Sequence, residues 1–151
     1  MAGWYPVAGR TPAISLMGGN AQALNVGWTR VNSAFTAPRI QRGIGLSSGV
    51  LQIQTAGLYR VYAAFAGLGI DVAGRKGVQV TVNEATTDGP GALFDSQNSV
   101  NAAVGAGAGS IDVPLAVGDQ IRMFVVVTNT APPAPLDARA FTFGATYLSP
   151  E

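Results

Sequence analysis

Residues 45–49, Gly45-Leu46-Ser47-Ser48-Gly49, spell the Gly-x-Ser-x-Gly pattern in which a serine on a strand-to-helix turn becomes a nucleophile. That chemistry needs a histidine base, and the chain has no histidine. The segment after Gly49, Val50 to Gln54, reads as a strand, so residues 45–49 are expected to be a flexible turn. Glu84 and Asp95 come nearest to a pair of acids for hydrolysis, yet nothing sets them across a cleft with one carboxyl kept protonated. Asp71, Asp88, Asp95, Asp112 and Asp119 offer oxygens to a calcium ion, but they are scattered singly and form no loop motif. Asp119 comes directly after Gly118 and is expected to cap nearby backbone N–H groups in an Asx-type turn. Lys76 is the sole lysine, and no glycine-rich phosphate loop precedes it. Cysteine is also absent, which removes disulfides, thiolate nucleophiles and the usual zinc sites. These residues point to a protein that is not an enzyme and takes no metal or cofactor.

The elements that hold them are those of a single domain of 151 residues. Hydrophobic residues reach 48% and charged ones only 11%, against roughly 25% charged in an ordinary soluble domain. Part of so weakly charged a surface is expected to face protein, as in an oligomer. The net charge of +1 is too small to draw nucleic acid or an anionic membrane. The apolar residues are dispersed, with no run long enough for a spanning helix. Met1 to Val7 lack the basic and apolar regions of a secretory signal.

Apolar residues alternate with period two, the mark of half-buried strands. Leu51 and Ile53 share one face of Val50 to Gln54. In Leu58 to Phe65, the row Tyr59, Val61, Ala63 and Phe65 opposes Leu58, Arg60, Tyr62 and Ala64. Both rows carry apolar atoms, so core is expected on one side and a neighbouring subunit on the other. Gly77 to Val82, Ser96 to Ala103, Ser110 to Leu115, Gln120 to Thr128, Arg139 to Leu148 and Trp28 to Phe35 complete seven or eight strands. The tract Gly105 to Gly109 reads either as a flexible turn or as a closely packed strand. Thr86 to Gly91 and Asn129 to Asp137 read as loops, the second carrying Pro132, Pro133 and Pro135. No stretch supplies a crossover helix. The expectation is all-β, a two-sheet antiparallel sandwich.

Four segments in order carry a family resemblance: Gly49-Val50-Leu51-Gln52-Ile53, Gly57-Leu58-Tyr59-Arg60-Val61-Tyr62, Leu115-Ala116-Val117-Gly118-Asp119-Gln120-Ile121 and Phe141-Thr142-Phe143-Gly144-Ala145-Thr146-Tyr147-Leu148. Over residues 26–148 the chain resembles the C1q/TNF-like jelly roll. The resemblance implies a compact homotrimer whose aromatic and aliphatic residues meet at a central axis, with Tyr59, Phe141 and Tyr147 as the interface candidates; core of the single chain is the other reading of the same rings, and parity does not separate the two. Arg60 and Arg122 are candidates to pair with acids such as Asp112, within or between subunits. Unlike many animal members, the chain is expected to have no Gly-X-Y stalk, anchor or signal. Stalkless, Ala- and Gly-rich jelly rolls look more like structural proteins of tailed bacteriophages.

The expected function is therefore that of a virion structural protein on the capsid surface, assembled in the host cytoplasm. A homotrimer of residues 26–151 would cement the shell, with the major capsid protein and neighbouring decoration trimers as partners. Residues 1–25 are expected to be an extended attachment arm, with Trp4 and Tyr5 as anchors and Arg10 facing a carboxylate. Folding back onto the sandwich, or serving as its first edge strand, is the alternative for that arm. The rival functions are a receptor-binding or fibre-head adhesion domain and a secreted C1q-like interaction module.

Overall fold

A computed structural model of the chain describes residues 11–18, 22–24, 27–33, 35, 37–66, 74–84, 91–100, 106–127 and 141–150. Among these residues eleven strands run in the order β1 (Ala13–Met17), β2 (Gly27–Arg30), β3 (Ile40–Arg42), β4 (Ile44–Ser47), β5 (Val50–Ile53), β6 (Gly57–Ala66), β7 (Gly74–Val82), β8 (Ala92–Val100), β9 (Ala106–Leu115), β10 (Gln120–Val127) and β11 (Phe141–Ser149). They form two antiparallel sheets. One is five-stranded, β3-β1-β11-β6-β9; the other is six-stranded, β4-β5-β10-β7-β8, with β2 also pairing β10. No helix among the described residues is long and apolar enough to cross a membrane.

The alternation seen in the sequence decides what each sheet buries. Tyr59, Val61, Ala63 and Phe65 point inward from β6, and Phe141, Phe143 and Ala145 join them from β11. The six-stranded sheet contributes Leu51, Ile53, Val78, Val80, Ile121, Met123, Val125 and Val127. Phe35 seals one end, edge-on to Phe141 with ring centroids 5.0 Å apart.

The glycine tract resolves as strand, for a steric reason. β9 runs beside β8, and a Cβ on Gly107 would come within 2.9 Å of the Gly77 Cα and strike the Ser96 carbonyl. A Cβ on Gly109 would lie 2.6 Å from the Phe94 ring. Small residues let the two sheets close along this side.

Three expectations need correction. The arm does not extend to residue 25, because Ala13–Met17 is a strand of the sandwich. It pairs β11 on one side and β3 on the other, so it is not an edge strand either. Its alternation is short, set between Pro12 and Gly18, yet Ile14 and Leu16 are fully buried. The Gly45 to Gly49 stretch is no flexible turn: β4 and β5 form a hairpin through Ser48 and Gly49. Their φ values of 47° and 74° match the type I′ turn that suits strand twist. The strands among the described residues number eleven, and the one begun at Trp28 ends at Arg30. The loops 86–90 and 129–137 lie outside the described residues.

Asp119 does cap the backbone as expected. Its Oδ2 accepts from the Ala116 N–H at 2.8 Å, while Oδ1 accepts from the Asn83 amide at 2.8 Å. The Asn83 Oδ1 in turn accepts from the Gln120 N–H at 2.9 Å. Gly118, at φ 94°, lets the turn close, and its N–H donates to the Ile53 carbonyl at 2.9 Å. The carboxylate thus ties the ends of β7 and β9 together, while the Gly118 N–H and the Asp119 carbonyl hold β5 through its Ile53 backbone. Asp119→Ala leaves two donors to find other partners and should lower stability by about 1–2 kcal/mol, read from urea unfolding. Phe141→Ala, which opens a cavity in the core, should lower it by about 3–5 kcal/mol in the same assay.

Candidate functional site

The row of β6 that opposes the core forms the middle of an outward face. Register places Tyr62 beside Gly144 of β11 and Ser110 of β9, and Gly144 beside Ser15 of β1. One residue pair further along, Ala64 lies between Thr142 and Ala108. Tyr62 lies flat across the sheet, because a Cβ on Gly144 would collide with its ring and hydroxyl. The hydroxyl reaches across β11 and donates to the Ile14 carbonyl of β1 at 3.4 Å. Leu58 and Leu148 extend this surface, with Leu148 42% exposed beside a bulge in the β6–β11 register. The result is a broad plane of small and apolar side chains.

Arg60 and Asp112 are cross-strand neighbours on that plane and pair within one chain. Arg60 donates from Nε to Oδ1 and from Nη2 to Oδ2, each at 2.8 Å. These hydrogen bonds hold the Asp112 carboxyl below its ordinary range and raise the Arg60 guanidinium above its own. The pair is exposed to solvent, so its contribution to stability is small and screened by salt. Arg122 finds no acid among the described residues. It donates from Nη2 to the Gln120 Oε1 and from Nη1 to the Glu84 carbonyl at 3.2 Å.

Of the residues expected at a subunit interface, Tyr59 and Phe141 are instead core of the single chain, at 0% and 2% exposure. Their parity points them between the sheets, which corrects the expectation. Tyr147, half-buried, turns toward the same side and meets Tyr59 edge-on at 5.3 Å. A Cβ on Gly57 would overlap the Tyr147 ring, so the glycine that opens β6 makes room for this pair. Tyr62 is the aromatic that the outward face presents, and sequence parity already separated it from Tyr59. Trp4, Tyr5 and Arg10 lie outside the described residues, as do Asp71 and Asp88. Glu84, Asp95, Asp112 and Asp119 form no group of three metal-ligating residues among those described.

The opposite sheet carries a groove of about 370 Å³ on its outer side, lined by Arg30, Gly45, Leu46, Ser47, Ser48, Val50, Gln52 and Gln120. Gly45, Gln52 and Gln120 are neighbours across β4, β5 and β10. A Cβ on Gly45 would touch the Gln52 side chain at 3.4 Å, so its absence deepens the floor. Ser47 therefore lines a groove in a hairpin, and the strand β5 stands where a nucleophile elbow would need a helix.

No protein-family model matches the chain, and no curated protein matches its sequence. Solved structures do match its shape. Murine APRIL at pH 5.0 superposes with a TM-score of 0.69 at 18% identity, covering 91% of this chain and 99% of that one. The globular domain of zebrafish complement 1qA gives 0.66 at 13% identity, covering 93% and 99%. Eiger TNF from S. frugiperda gives 0.65 at 14% identity, covering 94% and 95%.

Burial pushes the Tyr59 phenol from 10.0 up to about 12, and the nearby Tyr147 adds to the rise. Its hydroxyl also donates to the Thr55 carbonyl at 2.6 Å. The neutral form is therefore favoured in the fold. That stabilisation is complete below the unfolded value near pH 10 and is lost as pH rises toward 12. Ultraviolet titration should show one tyrosine ionising near pH 12, together with unfolding, while Tyr59→Phe should remove that step. The strand order, the core and these neighbours show the fold to be that of the TNF/C1q-like jelly rolls.

Proposed function

We propose that the protein is a non-enzymatic virion structural protein, a homotrimer that decorates a capsid and binds it through the residues before β1. The observation that carries the trimer is the outward plane around Tyr62. It is flat, built of small and apolar residues, and crossed by an Arg60–Asp112 pair that cancels its own charge. Packing such a plane against two copies in a closed ring would bury it from water. Tyr62 is already pinned by Gly144 and by the Ile14 carbonyl, so little side-chain freedom is lost on contact.

The capsid assignment is supported by composition. A charged fraction of 11% with 20 glycines suits a part whose surface is shared with other proteins, and no histidine or cysteine equips it for the common catalytic strategies. Trp4 and Tyr5, with Arg10, remain the proposed anchors to the major capsid protein, over a footprint that ends before Ala13. The mechanism is mechanical: a trimer resting on several shell subunits raises the free energy of separating them.

Analytical ultracentrifugation at micromolar concentration should give three times 15.4 kDa. Tyr62→Glu would place a charge in the proposed interface and should shift the mass toward the monomer with the far-ultraviolet spectrum kept. A wild-type monomer under these conditions would exclude the trimer. Deleting residues 2–10 should leave the trimer intact and abolish most particle binding. A deleted protein that binds particles like the intact one would remove those residues from attachment.

A further inference from the structure

We propose that the groove on the outer side of the six-stranded sheet binds the carboxylate of an acidic sugar. The described residues that line it include a cation, Arg30, and no acid. The Arg30 guanidinium stands at the end of β2 with no ion-pair partner among the described residues. Across the floor, the orientation of Gln120 is set by chemistry. Arg122 can only donate, so the Gln120 oxygen faces it, and the amide N–H₂ of this groove-lining residue is left to donate elsewhere. Ser47 and Ser48 add hydroxyls, and Gln52 adds a second amide. A single cation among donors selects an anion, and a planar guanidinium suits a carboxylate.

The rest of the lining selects a saccharide. Hydroxyls and amides both donate and accept, which matches ring hydroxyls, while Val50 offers a short apolar wall for ring C–H groups. The volume of about 370 Å³ falls at the low end of small-molecule sites. Over the floor, β4 pairs β5 and β5 pairs β10, so side chains rather than backbone groups meet a ligand there; β4 ends the sheet, and the glutamate tripeptide below tests a peptide occupant. This sheet faces away from the plane around Tyr62, so a trimer would leave three such grooves open.

The experiment is amide-resonance titration of the full-length protein with sodium glucuronate, glucose, acetate and a glutamate-containing tripeptide. Glucuronate should shift the resonances of Gly45 to Ser48, Gln52 and Gln120 and saturate. Glucose, acetate and the tripeptide should each bind at least about tenfold more weakly. Arg30→Ala should weaken glucuronate binding by about tenfold or more. Gly45→Val, which fills the floor while favouring the strand, should do the same without touching the charge. The proposal is overturned if glucose or acetate matches glucuronate, if the tripeptide matches it, or if both variants bind as the wild type does.

Discussion

The antiparallel pairing of β6 with β11 on one side and β9 on the other is the constraint on which the rest of this structure depends. β6 is long, and its register with both neighbours sets the parity of every residue across three strands. One parity sends Tyr59, Val61, Ala63 and Phe65 into the core beside Phe141, Phe143 and Ala145. The other sends Tyr62 and Arg60 outward beside Gly144, Thr146, Ser110 and Asp112. A slip of one residue would exchange these sets and place an arginine in the core. The other elements secure the register. The Asp119 carboxylate ties down the turn after β9, and β1 clamps β11 from its far side.

The two sheets therefore present different chemistry to the outside. The five-stranded sheet shows a neutral plane with an aromatic ring laid flat, a surface suited to another copy of the chain. The six-stranded sheet shows donors: Arg30, the amides of Gln52 and Gln120, and the hydroxyls of Ser47 and Ser48. Its other outward positions do not all reach solvent. Phe124 and Val126 are buried although their parity points away from the core. The groove residues lie at the β4–β5 end of that sheet.

Sequence disclosed the strands that alternate over a long run, because burial on one side writes a period of two into eight or ten residues. β6, β7, β10 and β11 were legible on that ground, as was the Gly118-Asp119 turn. β1, β3 and β4 were not. Each has only three to five residues, too few for a period to stand out. β1 also carries Ala13 and Met17 on the face opposite Ile14 and Leu16, and apolar residues on both faces blur the alternation. The glycine tract was ambiguous because its reason lies on another strand, in the Ser96 carbonyl and the Phe94 ring that crowd it. Tyr59 and Tyr62 illustrate the same limit. Parity separates the two rings, but only the location of the second sheet decides which is core. The groove was invisible for a related reason: Arg30, Gly45, Gln52 and Gln120 come from four separate strands and share no motif.

A crystal structure of the oligomer would show which side of the sandwich the subunits share. It should contain a threefold axis with Tyr62 and Gly144 of each chain buried against neighbours, the Arg60–Asp112 pair kept within each chain, and the Arg30 groove open on the outside. An oligomer joined through the groove side, with Tyr62 left in solvent, would contradict that arrangement.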